Sequence, residues 1–171
     1  NSKSNQQNLG TIRSSNLCCE VVEYTSPEET AVCTLASLAL PKCMSGSTFN
    51  YSWLEKITRM AVRNLNAVLD VNTYPVPEAE RSNKLHRPIG IGIQGLHDVF
   101  QVKSVAYDSK EAEQLNRHIF ETIYYAALDE SCEQACVYGS YKSFEGSPAS
   151  KGILQFDMWD VTPSKRYDWE K

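Results

Sequence analysis

The stretch that most restricts how this chain can fold runs from Ser109 to Tyr138. There Ala112, Leu115, Ile119, Ile123 and Ala126 recur at helical spacing, Asp108-x-x-Glu111 has the look of an N-terminal cap, and Gly139 supplies a stop. One continuous helix over this span would be roughly 45 Å long, and the rest of the chain has to cover its apolar face. A second amphipathic helix is predicted from Trp53 to about Leu69 on Leu54, Ile57, Ala61, Leu65 and Val68, with Ser52-x-x-Glu55 as its capping box. Ala31, Cys33 and Leu35 alternate with Val32 and Thr34 as in a strand, Ile89–Ile93 reads as a short strand leading to a helix from Gln94 to about Val102, and Gly152–Phe156 reads as a further strand. Asn1–Ile12 and Pro41–Asn50 read as loops and Ser26-Pro27-Glu28-Glu29 as a turn. Asn72–Arg87, interrupted by Pro75 and Pro77, reads as a long polar connection. Strands alternating with helices predict an α/β architecture with parallel strands, and 171 residues suit one domain.

Composition narrows the function classes. With 42% hydrophobic and 22% charged residues the chain is neither disordered nor membrane-like. A net charge of −4 and a pI near 5.4 leave no electrostatic footprint for nucleic acid or an anionic membrane. No run approaches the roughly 18 apolar residues of a membrane span, and the polar opening Asn1–Gly10 does not read as a signal peptide, so the expectation is a soluble, cytoplasmic protein. In that compartment six cysteines, Cys18, Cys19, Cys33, Cys43, Cys132 and Cys136, point to catalytic, redox or metal-binding thiols rather than a disulfide framework.

The densest chemistry lies in Ser14–Tyr24. In extended backbone Asn16, Cys18 and Glu20 fall on one face and Leu17, Cys19 and Val21 on the other. An amide, a thiol and a carboxylate, spaced roughly 6.5 to 7 Å apart, can then touch one small polar ligand such as a sugar. The turn at Ser26–Glu29 joins this stretch to the one bearing Cys33, so Cys18 and Cys33 are expected to lie near each other.

Ser15-Asn16-Leu17-Cys18 with Glu20, flanked by Asn5–Ile12 and by Ala31-Val32-Cys33-Thr34-Leu35-Ala36-Ser37-Leu38, resembles the large catalytic subunit of class I ribonucleotide reductases, most closely the eukaryotic and viral members. The resemblance continues through Arg63–Asn66, Tyr74–Pro77, Arg87–Gly92, Phe120–Tyr125 and Ser150–Gln155 and so covers the whole chain. It implies that residues 1–171 are a central segment of the catalytic barrel domain, part of a ten-stranded α/β barrel in two antiparallel halves with a finger loop through its centre and Cys18 at the fingertip. It implies reduction of ribonucleoside diphosphates to 2′-deoxyribonucleoside diphosphates, with Cys18 as a transient thiyl radical taking the 3′ hydrogen, Glu20 as base at the 3′ hydroxyl, Asn16 bonding the sugar hydroxyls, Leu17 beside them at the substrate, and Cys33 as half of a redox dithiol. It further implies no cofactor bound by this segment, a radical supplied by a di-iron/tyrosyl small subunit, ATP and deoxynucleotide effectors bound elsewhere, self-association of the large subunit, and thioredoxin or glutaredoxin as reductant. By the same resemblance the isolated chain is expected to be an inactive internal piece of a longer subunit.

Other features are weighed differently. Cys19 stands where the family usually has Thr, and alternation turns it away from the reacting face, which predicts a packing role. Gly90-x-Gly92-x-x-Gly95 spells a dinucleotide fingerprint, yet the acids about twenty positions on, Glu111 and Glu113, open a helix instead of ending a strand. Tyr124-Tyr125 lies on the long helix and reads as packing, since the family's tyrosine relay belongs to another region. Cys132-x-x-x-Cys136 has no second Cys/His pair at zinc spacing, and His86, His97 and His118 form no ligand pattern. The alternative to a reductase is a metal-binding or redox-sensing module built on Cys18, Cys19, Cys33 and Cys43.

Overall fold

A computed structural model describes residues 1–16, 19 and 21–170. Along the chain it places β1 (Thr34–Ala39), a 3-10 turn (Leu40–Cys43), β2 (Met44–Ser45), β3 (Thr48–Phe49), α1 (Tyr51–Val71), α2 (Pro77–His86), β4 (Ile89–Gln94), α3 (Leu96–Val102), α4 (Lys110–Tyr138), a second 3-10 turn (Ala149–Lys151) and α5 (Gln155–Met158). The architecture is mixed α/β. Among the described residues β1 pairs with β4 and β2 pairs antiparallel with β3, giving two two-stranded sheets and no closed barrel. The chain divides into two compact units: Asn1–Thr34 with Asn66–Gly90 and Ala135–Pro163, and Leu35–Leu65 with Ile91–Gln134 and Ser164–Lys171.

The second unit is organised by α4, where the sequence period predicts it. Ala112, Leu115, Ile119 and Ile123 are buried in a cluster with Leu38, Leu40, Phe49, Leu54, Val99 and Phe100. Removing a Leu or Ile side chain from water contributes about 1.5–3 kcal/mol, so one face of one helix carries much of this core. The helix starts differ from the expected ones. Asn50 Oδ1 accepts the Trp53 amide at 2.9 Å and caps α1, while Glu55 pairs with Arg59 on the helix surface. Ser109 Oγ accepts the Ala112 amide at 3.1 Å and caps α4, a position later than Asp108. In each case the oxygen three residues before the N3 amide does the capping. The expected loop Pro41–Asn50 is a 3-10 turn followed by a tight hairpin, with Gly46 at φ 58° between β2 and β3.

The glycine signature divides between strand and turn. Gly90 and Gly92 lie inside β4, where no phosphate-binding loop can form. Gly95 precedes α3 at φ 78°, and a Cβ there would meet the ring of Pro41 at 2.5 Å. Gly95 is therefore fixed both by backbone conformation and by the closeness of the 3-10 turn.

The first unit holds the main departures from expectation. The span Asn72–Arg87 is not a polar connection, because α2 occupies most of it. Pro77 does not end structure; it opens the helix at N1, where its missing N–H costs nothing. The inward face of α2 is Ala79, Ser82, Asn83 and His86, at helical spacing but largely polar. Arg87 closes the helix in the left-handed conformation, φ 47°. Its guanidinium grips Asp70 Oδ1 and Oδ2 at 2.7 and 2.9 Å and Asn66 Oδ1 at 2.8 Å. His86 is buried with Nε2 2.6 Å from Glu29 Oε2 and Nδ1 2.8 Å from Ser143 Oγ. The expected turn at Ser26–Glu29 is present, closed by reciprocal backbone bonds. Gly152–Phe156 is not a strand: Gly152 ends the second 3-10 turn at φ 70°, and Asp157 Oδ2 accepts the Leu154 amide to start α5. A left-handed glycine followed by a capped turn breaks the run before a ladder can form.

Candidate functional site

The site is built from the loop that leads into β1. Asn16 and Val21 close a tight turn: the Asn16 amide donates to Val21 O at 3.4 Å, and Asn16 Oδ1 accepts the Val21 amide at 3.1 Å. The Cys19 amide donates to Asn16 O at 3.2 Å, and Cys19 has φ 62°. At the described residues Asn16, Cys19 and Val21 the expected extended backbone is therefore corrected, Cys19 being left-handed and Asn16 bonded to Val21. The physical reason is that a short amide side chain offers the backbone a partner of its own in place of a strand ladder. Leu17, Cys18 and Glu20, three of the predicted site residues, lie outside the described residues, as does the predicted approach of Cys18 to Cys33. Cys19 is exposed and accepts a hydrogen bond from Ser15 Oγ at 3.6 Å, so it does not pack as expected.

Cys33 sits one residue before β1, not inside a strand, because the ladder begins at Thr34. It is half-buried, in the thiol form, with Sγ 3.8 Å from Thr34 O. Beside it lies Glu23. The Glu23 side chain is hydrogen-bonded by Cys33 and Gln6, and its Oε2 is buried without a partner. Burial raises its pKa from 4.5 to about 7, with the two hydrogen bonds pulling the other way. Gln6 is itself held by the loop, its Oε1 accepting the Tyr24 amide at 2.8 Å. A signal for Glu23 existed in the chain: on the expected alternation it falls on the same face as Leu17, Cys19 and Val21, where a carboxylate is out of place.

The other candidates resolve more simply. Tyr125 stacks on Tyr167 with centroids 4.3 Å apart, and Trp169 lies 5.9 Å from Tyr124 and edge-on to Tyr125 at 5.4 Å. The tyrosine pair thus packs under the chain's last aromatic residues. Cys132 and Cys136 are exposed on α4. Among the described residues no group of three or more His, Cys, Asp or Glu could hold a metal ion, which gives the metal-binding alternative no support there. No described helix is long and apolar enough to cross a membrane.

Comparison with known proteins gives a consistent answer. A family model described as "Ribonucleotide reductase, barrel domain" matches residues 1–171. The chain is 57% identical over 169 residues to the ribonucleoside-diphosphate reductase large chain of Schizosaccharomyces pombe, covering 99% of this chain and 21% of that one. It is 57% identical over 170 residues to the large subunit of Danio rerio, with coverage of 99% and 21%, and 58% identical over 178 residues to that of Dictyostelium discoideum, with coverage of 99% and 20%. The chain spans about a fifth of the length of these curated relatives.

Proposed function

The chain belongs to the ribonucleotide reductase barrel-domain family, and on that premise we propose that it supplies the thiol-bearing loop of a ribonucleoside-diphosphate reductase large subunit, an oxidoreductase that makes deoxyribonucleotides. The observation that carries this is identity above one half, over 99% of the chain, to large subunits of three eukaryotes.

In this reading Cys18 becomes the thiyl radical and takes the 3′ hydrogen of the ribose, a role suited to a weak S–H bond. Glu20 accepts the 3′ hydroxyl proton, as a carboxylate within hydrogen-bond reach does at neutral pH. Asn16 holds the sugar hydroxyls, with Leu17 alongside. Cys33 and a second thiol elsewhere in the large subunit give up two electrons and two hydrogens: a nucleoside diphosphate and a dithiol become a deoxynucleoside diphosphate, a disulfide and water. The loop pinned by Asn16 is the tip of the finger in a ten-stranded barrel completed by the rest of the large subunit. A di-iron/tyrosyl small subunit provides the radical, and thioredoxin or glutaredoxin restores the dithiol. The large subunit self-associates and binds ATP and deoxynucleotide effectors outside this segment, in the cytoplasm.

The test is a complete large subunit carrying these residues, assayed with small subunit, nucleoside diphosphate and a dithiol. Cys18→Ser is expected to abolish deoxynucleotide formation, and Cys33→Ser to abolish repeated turnover with thioredoxin. Wild-type turnover in the Cys18→Ser protein would overturn the reading.

A further inference from the structure

A redox thiol that is oxidised and re-reduced once per cycle has to lose and regain a proton each time, and the structure contains one buried group beside Cys33 suited to that exchange. We propose that Glu23 is the positioning and proton-return residue for Cys33: it holds the thiol by hydrogen bond and hands a proton to Cys33 Sγ when the disulfide is reopened by an incoming dithiol. The inference rests on the reading of Cys33 as a redox thiol.

Three observations support it. Cys33 bonds the Glu23 side chain directly. Gln6, anchored on the Tyr24 amide, bonds the same carboxyl and fixes its place. Oε2 is buried with no partner of its own, which disfavours the ionised carboxylate, while the other carboxyl oxygen is the one left to face Cys33 and carry the proton to be transferred. A buried oxygen left in this way is costly unless it is protonated or used.

The chemistry balances. The incoming dithiol, ionised at one sulfur, attacks the sulfur of the second cysteine and forms a new S–S bond. The old S–S bond breaks and its electron pair goes to Cys33 Sγ. The proton of the neutral Glu23 carboxyl passes to that thiolate, and the resulting carboxylate recovers, through solvent, the proton the dithiol released on ionising. The second sulfur of the dithiol then resolves the mixed disulfide, and its proton goes to the departing second cysteine. An ordinary carboxyl, about four pK units more acidic than an ordinary thiol, is protonated too rarely at neutral pH to serve. Burial brings Glu23 to about 7, where both protonation states are populated and transfer is efficient. A neutral carboxyl also spares the nascent thiolate a like charge.

The test uses the complete large subunit, oxidised at the Cys33 disulfide and then reduced with dithiothreitol while new thiols are counted. Glu23→Gln is expected to slow thiol release about 100-fold or more and to lower kcat with thioredoxin with little change in the substrate KM. Glu23→Asp is expected to restore at least part of the rate. A Glu23→Gln protein that is reduced at the wild-type rate, or one that loses kcat with an equal rise in KM and no rescue by Asp, would overturn the proposal. If Cys33→Ser in parallel retains thioredoxin-dependent turnover, the function reading itself fails. If Cys33→Ser is inactive while Glu23→Gln behaves as wild type, only the role of Glu23 fails.

Discussion

The two compact units are held together by different means. In the unit around α4 the interior is largely hydrocarbon, with Leu40, Leu54, Val99 and Ile119 at zero exposure, and Thr58, Thr122 and Glu130 are the buried polar residues among those described. In the unit that contains α2 the buried side chains are mostly polar: Ser82, Asn83, His86 and Ser147 sit beside Leu69 and Ala79. Hydrocarbon packing depends on volume and is insensitive to direction, whereas the His86 bonds to Glu29 and Ser143 require one geometry. The unit that bears Cys33 and Glu23 is thus the directional one, which is what a loop that must hold a thiol against a carboxyl requires.

Substitutions of similar volume separate the two modes most sharply. His86→Leu keeps the bulk but leaves Glu29 and Ser143 without their partner, and is expected to cost about 3 kcal/mol in urea unfolding of the chain. Ile119→Leu in the hydrocarbon interior is expected to cost less than about 1.5 kcal/mol in the same measurement. Equal losses at the two positions would break the distinction.

The smallest effect is one of direction with pH. Burial raises Glu23, so the folded state binds its proton more tightly than the unfolded chain; its stabilisation is complete below about 4.5 and is lost as pH rises to about 7. Glu130, in the other unit, is pushed up by burial but pulled down further by hydrogen bonds from Arg63 and Gln134. Its contribution is present above the ordinary carboxylate range and is lost as pH falls. Melting temperature followed from pH 4.5 to 7 is expected to decline less steeply in Glu23→Gln than in wild type; parallel slopes would remove Glu23 from the account.

What could be read from the chain follows the same division. Helix α4 was legible because its buried face is Ala112, Leu115, Ile119 and Ile123, apolar at every turn. Helix α2 was not, because Ser82, Asn83 and His86 occupy the same kind of face with polar groups, and periodicity of hydrophobicity is blind to them. The cap of α1 was displaced from Ser52 to Asn50 because both residue types can cap, and only the packing of the helix decides where its first turn begins. At the site, the alternation around Cys33 pointed to a strand, and the ladder begins one residue later, at Thr34. Glu23 was not singled out, because its burial beside Cys33 is a tertiary effect that the pattern of Asn16, Cys18 and Glu20 on one face does not reveal.

Gly95 and Pro41 carry a historical consequence. With a Cβ at one position meeting the ring of the other at 2.5 Å, the two sites cannot drift independently. A lineage that replaces the glycine first meets the collision with Pro41 and an unfavourable backbone angle, while one that first replaces the proline is left with the backbone angle and the 3.1 Å approach to Asp98 Oδ2. The order in which mutations can accumulate here is set by the fold, and the pair is a small case of epistasis written in van der Waals contact.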